Sequence, residues 1–202
     1  MKDKIQKLKN EKNAIILAHY YTRPEVQAIA DFIGDSLALA QKAVSTNADI
    51  ILFAFVHFMT ETAKIINPTK KVLIPDLSAK CSLADSCIDE DFESFLKNYP
   101  DYTVLSYVNC SAKVKALSDI IVTSGNALRV VNSLPKDAKI VFAPDKNLGA
   151  YINKMTGREM VLWNGACHVH DQLKAEKVLL HKQKFPKAIT IAHPECPQEV
   201  LQ

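Results

Sequence analysis

Three pairs of polar side chains give this chain its chemical character: His19 with Tyr21, Tyr107 with Asn109, and His193 with Glu195. Each pair follows a largely apolar run that reads as a strand: Ala14 to Ala18, Tyr102 to Ser106 and Ala188 to Ala192. Residues two apart share one face of an extended strand, so both members of a pair should point the same way. Gathered about a pseudo-threefold axis, the tips would present two imidazoles, a carboxylate, two phenols and an amide. That set suits carboxylate and carbonyl recognition and proton transfer. A tyrosine at a strand end can also simply pack its ring and bond its hydroxyl locally. The matched placement of three pairs raises them above that reading. Ser36 and Ser124 each stand just ahead of a helical-looking segment. Either could be an N-cap, and a helix start also offers free N–H groups to phosphate or carboxylate. The two roles are compatible.

Five cysteines lie between Cys81 and Cys196, an odd number that points to thiols or metal ligands rather than a disulfide frame. Cys81 and Cys167 are 86 residues apart, each in a loop after an apparent strand. One thiolate from each of several equivalent units would suit an iron–sulfur cluster with one iron left open. Cys167 with His168 or His170 would suit zinc, and two ordinary buried thiols are the plain alternative. Cys87, Cys110 and Cys196 have no cysteine equivalents and are expected to be non-ligands, with Cys110 and Cys196 nearest the cavity. Met59 reads as packing, His57 and His181 as ordinary surface or core histidines, and Asp145 as a helix cap.

The elements that must position these groups come in a repeat. His19 and Tyr107, Tyr21 and Asn109, Asp31 and Asp119, and Ser36 and Ser124 all differ by 88. Tyr99-Pro100 and Phe185-Pro186 differ by 86. Fixed long-period self-similarity means duplicated units, each here reading β-α-β-α-β-α-β-α. Asp31 to Gly34 could continue a helix, but its partner Asp119 to Val122 looks like a strand. The fold class is therefore α/β: repeated three-layer units with parallel sheets covered by helices. Expected boundaries are residues 1–101 for a first unit with an N-terminal helix, 102–187 for a second, and 188–202 for the first strand of a truncated third. Pro24 should open a helix, Asn67-Pro68 should end one over Phe58 to Ile66, and Leu134-Pro135 should end one over Asn126 to Ser133.

The bulk numbers exclude several classes. With 202 residues and 48% hydrophobic content, the chain can bury a substantial core. A net charge of +3, with both signs interleaved, gives no basic stripe for nucleic acid. The longest apolar run, about Ile50 to Val56, is too short to span a membrane, and the amino terminus lacks a signal-peptide core. A cytoplasmic protein is expected. No Gly-rich phosphate loop and no Gly-x-Ser-x-Gly is present.

The ordered motifs Ala18-His-Tyr-Tyr21, Gly34-Asp-Ser-Leu37, Val56-His-Phe-Met59, Cys81-Ser-Leu-Ala-Asp85, Tyr107-Val-Asn109, Ala143-Pro-Asp-Lys-Asn-Leu-Gly149, Gly165-Ala-Cys167 and His193-Pro-Glu-Cys196 resemble the quinolinate synthase family over all 202 residues. The resemblance implies three α/β units about a pseudo-threefold axis and a [4Fe–4S] cluster held there by three cysteines. It implies condensation of iminoaspartate with dihydroxyacetone phosphate to quinolinate, a step of de novo NAD biosynthesis, with L-aspartate oxidase as a source of iminoaspartate. The open iron would act as a Lewis acid. By motif match His19, Ser36 and Ser124 would hold carboxylate or phosphate, and Met59 would line the pocket. Tyr21, Tyr107 and Asn109 would orient the intermediate. His193 and Glu195 would move protons, with Tyr21 and Tyr107 beside them as catalytic groups. Cys81 and Cys167 would be cluster ligands.

The sequence departs from the family pattern in two ways. A third cysteine and a third-unit hydroxyl equivalent to Ser36 are absent, and Cys110 stands where a small hydroxyl residue is expected. The expectation is that the chain as it stands is inactive. A zinc-dependent lyase on the same scaffold and a non-catalytic fragment are the alternatives.

Overall fold

The computed structural model describes residues 1–202, which divide into two compact units, Met1–Cys81 and Ser82–Gln202. The first contains, in order, α1 (Lys2–Glu11), β1 (Ala14–His19), α2 (Pro24–Gln27), β2 (Phe32–Gly34), α3 (Ser36–Ser45), β3 (Ile50–Ala54), α4 (His57–Ile66) and β4 (Lys71–Leu73). Its four strands form one parallel sheet in the order β2-β1-β3-β4. Local chemistry sets the helix ends. Pro24 opens α2 with its φ already suited to the helix, and Asp35 caps α3 by accepting from the Ala38 N–H at 2.8 Å. The central strands are apolar because neighbouring strands and helices enclose them. Leu17, Ile51 and Phe53 are essentially inaccessible, as is Leu39 of α3. Each such side chain contributes about 1.5–3 kcal/mol of burial.

The second unit contains α5 (Ser82–Asp85), α6 (Asp89–Leu96), β5 (Thr103–Tyr107), α7 (Ala112–Ala116), β6 (Ile120–Val122), α8 (Ala127–Ser133), β7 (Ile140–Ala143), α9 (Lys146–Thr156), β8 (Val161–Leu162), α10 (His168–Asp171), α11 (Ala175–Lys184) and α12 (Gln198–Leu201). Its parallel sheet has the order β6-β5-β7-β8, the same topology as the first. The α/β fold with two four-stranded parallel sheets is as the alternating pattern predicts. Residues 82–101, which the repeat period groups with the first unit, pack within the second. Phe92 and Phe95 set their rings edge-on to Trp163 at 5.5 and 5.2 Å, and the Trp163 indole donates to the Ser86 carbonyl. Aromatic burial there outweighs the repeat boundary.

The repeat extends to the hydrogen bonds. β1 pairs β2 as Leu17↔Phe32, Ala18↔Ile33 and His19↔Gly34, and β5 pairs β6 as Leu105↔Ile120, Ser106↔Ile121 and Tyr107↔Val122, each position shifted by 88. Asp31 accepts from the Ile16 N–H at 2.7 Å, and Asp119 accepts from the Val104 N–H at 2.8 Å, again with the same offset. These aspartates close the strand entry in both units, a structural role for a pair the sequence singles out only by its spacing. Residues 188–193 adopt no regular secondary structure, and Ile189 and Ile191 are almost fully exposed. The segment expected as a strand there has no neighbouring strand to complete its backbone hydrogen bonds.

Candidate active site

In the first unit the site is built at the end of β1. His19, its last residue, is buried and stacks flat on Phe55 at 4.2 Å and 9°. Phe55 follows β3, whose Ala54 lies beside Ala18, so adjacent strand exits bring the rings together. The chain turns directly after His19. Its Nδ1 accepts from the Tyr21 N–H at 3.2 Å, and its carbonyl accepts from the Thr22 N–H at 3.0 Å. An accepting Nδ1 assigns the ring proton to Nε2. Burial lowers the His19 pKa below its ordinary value, against the pull of Asp35, so the ring is neutral. Tyr21 is exposed, yet its ring reaches to 4.7 Å from the His19 ring. The two therefore meet through a turn rather than along an extended strand. Ser36 is the first residue of α3, not its cap, and its hydroxyl donates to the Met59 Sδ at 3.7 Å. Met59 is buried on α4. His19, Tyr21, Ser36 and Met59 all belong to this unit.

In the second unit the centre is the Glu195 carboxylate, only 3% exposed. His170 Nδ1 lies 3.0 Å from its Oε2, and His193 Nδ1 lies 3.8 Å from its Oε1. The Tyr107 hydroxyl, at the end of β5, donates to Glu195 and accepts from Ser124. Burial, reinforced by the Glu195 charge, holds the phenol well above its usual range, so it remains protonated. The His170 and His193 rings stack at 5.0 Å. Burial lowers the His193 pKa, with Glu195 opposing and His170 adding to the effect. His193 repeats the local geometry of His19. Its Nδ1 accepts from the N–H two residues on, at 3.3 Å, and its carbonyl from the N–H three residues on, at 2.9 Å. The Tyr107 tip does not, since the Cys110 N–H bonds to the Val108 carbonyl instead. Asn109 has its Oδ1 buried with no hydrogen-bond partner.

Asp145 adjoins this centre through the Cys167 loop. It is fully buried, caps α9 through the Leu148 N–H at 2.7 Å, and accepts the Cys167 N–H through its second oxygen at 3.1 Å. Desolvation raises its pKa to about 6. Gly165 makes the loop possible: a Cβ there would lie 2.5 Å from the Pro144 carbonyl oxygen and 2.4 Å from Ser86 Oγ. Cys167 then precedes α10, which places His170 one helical turn on, with Nδ1 at 3.1 Å from the Cys167 sulfur. Burial raises the Cys167 thiol to about 11, and the thiol donates toward Glu195. Cys167, His170 and Glu195 have ligand atoms all within 4.8 Å of one another, a set able to hold a metal. His168 is exposed and occupied with Gln172.

No disulfide joins the cysteines. Cys87 and Cys110 are buried in the core cluster with Phe92, Val114 and Val141, and burial pushes the Cys87 thiol to about 12. Cys110 thus belongs to the core rather than to a cavity, because the turn after Asn109 directs it inward. Cys196, next to Glu195, is buried at the site. Cys81 and Cys167 are half-buried. Sequence reasoning missed Phe55 and the second bond of Asp145. Register with Ala18 signals the first, but nothing local signals the second.

A family model described as "Quinolinate synthetase A protein" matches residues 3–202. The quinolinate synthase of Gloeothece citriformis (strain PCC 7424) is 57% identical over 198 residues, covering 98% of this chain and 61% of its own length. That of Synechocystis sp. (strain ATCC 27184 / PCC 6803 / Kazusa) is 58% identical over 198 residues, covering 98% and 62%. That of Chloroherpeton thalassium (strain ATCC 35110 / GB-78) is 56% identical over 200 residues, covering 99% and 62%. The chain thus spans about three fifths of the length of these relatives. With the family model covering all but its first two residues, the chain belongs to the quinolinate synthase family.

Proposed function

We propose that the polypeptide carrying this sequence condenses iminoaspartate with dihydroxyacetone phosphate to quinolinate, as a cytoplasmic step of NAD biosynthesis supplied by L-aspartate oxidase. The relatives' name provides the activity. The observation in this chain that supports it is the buried Glu195 carboxylate with Tyr107, His170, His193 and Cys167 around it. In this reading His19, through its Nε2–H, and the Ser36 and Ser124 hydroxyls donate to substrate carboxylate or phosphate oxygens. The buried, unsatisfied Oδ1 of Asn109 accepts from a substrate N–H or O–H, since such an atom costs about 1–3 kcal/mol while unpaired. Tyr107 stays protonated and orients Glu195, which with the neutral His193 takes and returns protons during dehydration. Tyr21 and Met59 shape the space next to His19.

The donor set fits an iron–sulfur group in one respect: Cys81 and Cys167 are the half-buried thiols, while Cys87, Cys110 and Cys196 are enclosed. These two would ligate a [4Fe–4S] cluster. When bound, the cluster supplies a Lewis-acidic iron. Anaerobic reconstitution with iron and sulfide tests the reading. The expected result is a brown protein with about four irons. Cys81→Ser and Cys167→Ser should each lose it and Cys87→Ser should keep it, while quinolinate should form from the two substrates in a chain of the relatives' full length that carries this sequence. Iron uptake indifferent to both Cys81→Ser and Cys167→Ser would overturn the ligand assignment. A loaded chain of the relatives' full length that forms no quinolinate would overturn the activity.

A further inference from the structure

We propose that Cys167, His170 and Glu195 form a mononuclear site for a divalent transition metal of the zinc class, different in composition from the cluster although it shares the Cys167 sulfur. His170 Nδ1 sits between the two other donors, 3.1 Å from the sulfur and 3.0 Å from Glu195 Oε2. A tetrahedral ion with bonds of about 2.0–2.3 Å needs ligand-to-ligand edges of about 3.3–3.6 Å. The two edges at His170 reach that length by opening a few tenths of an ångström, and the third, between sulfur and carboxylate, lies within 4.8 Å. A thiolate and a carboxylate neutralise a dication, which a buried site requires. Sulfur, imidazole nitrogen and carboxylate oxygen together match a borderline-soft ion rather than magnesium or calcium.

The surroundings are those of a built site. Asp145 holds the Cys167 loop through its N–H, Tyr107 donates to Glu195, and the Asn147 amide donates to the Glu195 carbonyl at 3.2 Å. Such partners fix ligand orientation before the ion arrives. Three protein ligands leave a fourth position open, as in zinc sites that bind water or a small ligand. The site does not depend on the proposed cluster. Its consequence, that either centre excludes the other at Cys167, does rest on that reading.

Cobalt(II) is the probe. Titrated anaerobically into the metal-free full chain, it should bind at about one per chain and show visible tetrahedral bands with a sulfur-to-cobalt charge-transfer band. His170→Ala and Cys167→Ser should weaken binding by more than the roughly 10–100-fold typical of losing an outer-shell partner, while Cys81→Ser leaves the spectrum unchanged. His170→Gln, with circular dichroism as the folding check, repeats the test with less loss of volume, and Glu195→Gln removes the carboxylate charge. A pale octahedral spectrum, no binding, retention in both His170→Ala and Cys167→Ser, or loss in Cys81→Ser would overturn the site. Cobalt binding without iron–sulfur uptake would sink the cluster reading alone. Cluster uptake that persists in His170→Ala while cobalt binding is lost separates the two centres.

Discussion

His19 couples ring stacking to a measurable pH dependence. Burial lowers its pKa, so the folded chain favours the neutral ring while the unfolded chain titrates at the ordinary value of 6.5. Its contribution to stability is therefore full above pH 6.5 and is lost as pH falls through the lower folded value. His19→Asn keeps an acceptor for the Tyr21 N–H but does not titrate. Urea unfolding should show a flatter pH slope below 6.5 in this variant, by up to about 1.4 kcal/mol per pH unit. In the slope that remains, His193 acts the same way, while Asp145, raised to about 6 by burial, acts in the opposite sense. Above that range the variant should still cost about 0.5–1.5 kcal/mol for the lost stack on Phe55. At the second centre, Tyr107→Phe removes the proton donor to Glu195, and under the proposed activity quinolinate formation by a chain of the relatives' full length should fall by roughly 10²–10⁴-fold. The residue types of both centres were legible from spacing alone. Their partners were legible only in part: His170 stood beside Cys167 and Asp145 read as a cap, but Phe55 and the bond from Asp145 to the Cys167 N–H come from strand neighbours and loop closure. No periodicity encodes those.

At the scale of elements, the repeat offset of 88 was legible because equal spacing between apolar runs and polar tips forces equal register. Helix starts were less so. Ser36 reads as a cap, but Asp35 takes that position because its carboxylate reaches the Ala38 N–H. The repeated aspartates offer a direct test of equivalence. Asp31→Ala and Asp119→Ala each leave one strand N–H, of Ile16 or Val104, without its acceptor. Each should lower the unfolding free energy by about 1–3 kcal/mol. Asp31→Ala should cost more, because the buried Lys9 ammonium also loses its carboxylate at 2.6 Å. Equal effects would mean that the Lys9 pair contributes nothing. Gly165→Ala probes the cysteine loop in the same assay. Its Cβ would press on a backbone oxygen that cannot rotate away, and overpacking of this kind costs about 1–3 kcal/mol.

Across the whole molecule, stability is distributed unevenly, and the pattern is set by which elements have apolar partners. Each unit encloses its central strands: β1 and β3 in the first, β5 and β7 in the second, with β7 buried along its full length. α9 buries Leu148 and Ile152, and Gly149 lets it approach so closely that a Cβ would meet Leu162 at 2.6 Å. By contrast α11 buries no residue, and Leu179, Leu180 and Phe185 are exposed in and just after it. Periodicity in a sequence reports a potential apolar face and not whether anything covers it. A helix of that length without packing is marginal in water. Hydrogen exchange should read this difference directly. Amides of Ala175–Lys184 and of residues 188–192 should exchange at rates close to those of an unstructured chain. Those of α9 and of β1, β3, β5 and β7 should be protected by several kcal/mol, approaching the global unfolding free energy. Addition of cobalt to the metal-free chain should then slow exchange in α10 and around His193 to Cys196, since the ion ties Cys167, His170 and Glu195 together, and should leave α11 unchanged. Protection of α11 equal to that of α9 in the metal-free chain would mean that its apolar side is covered in solution, and the ranking of local stability drawn from burial would fail.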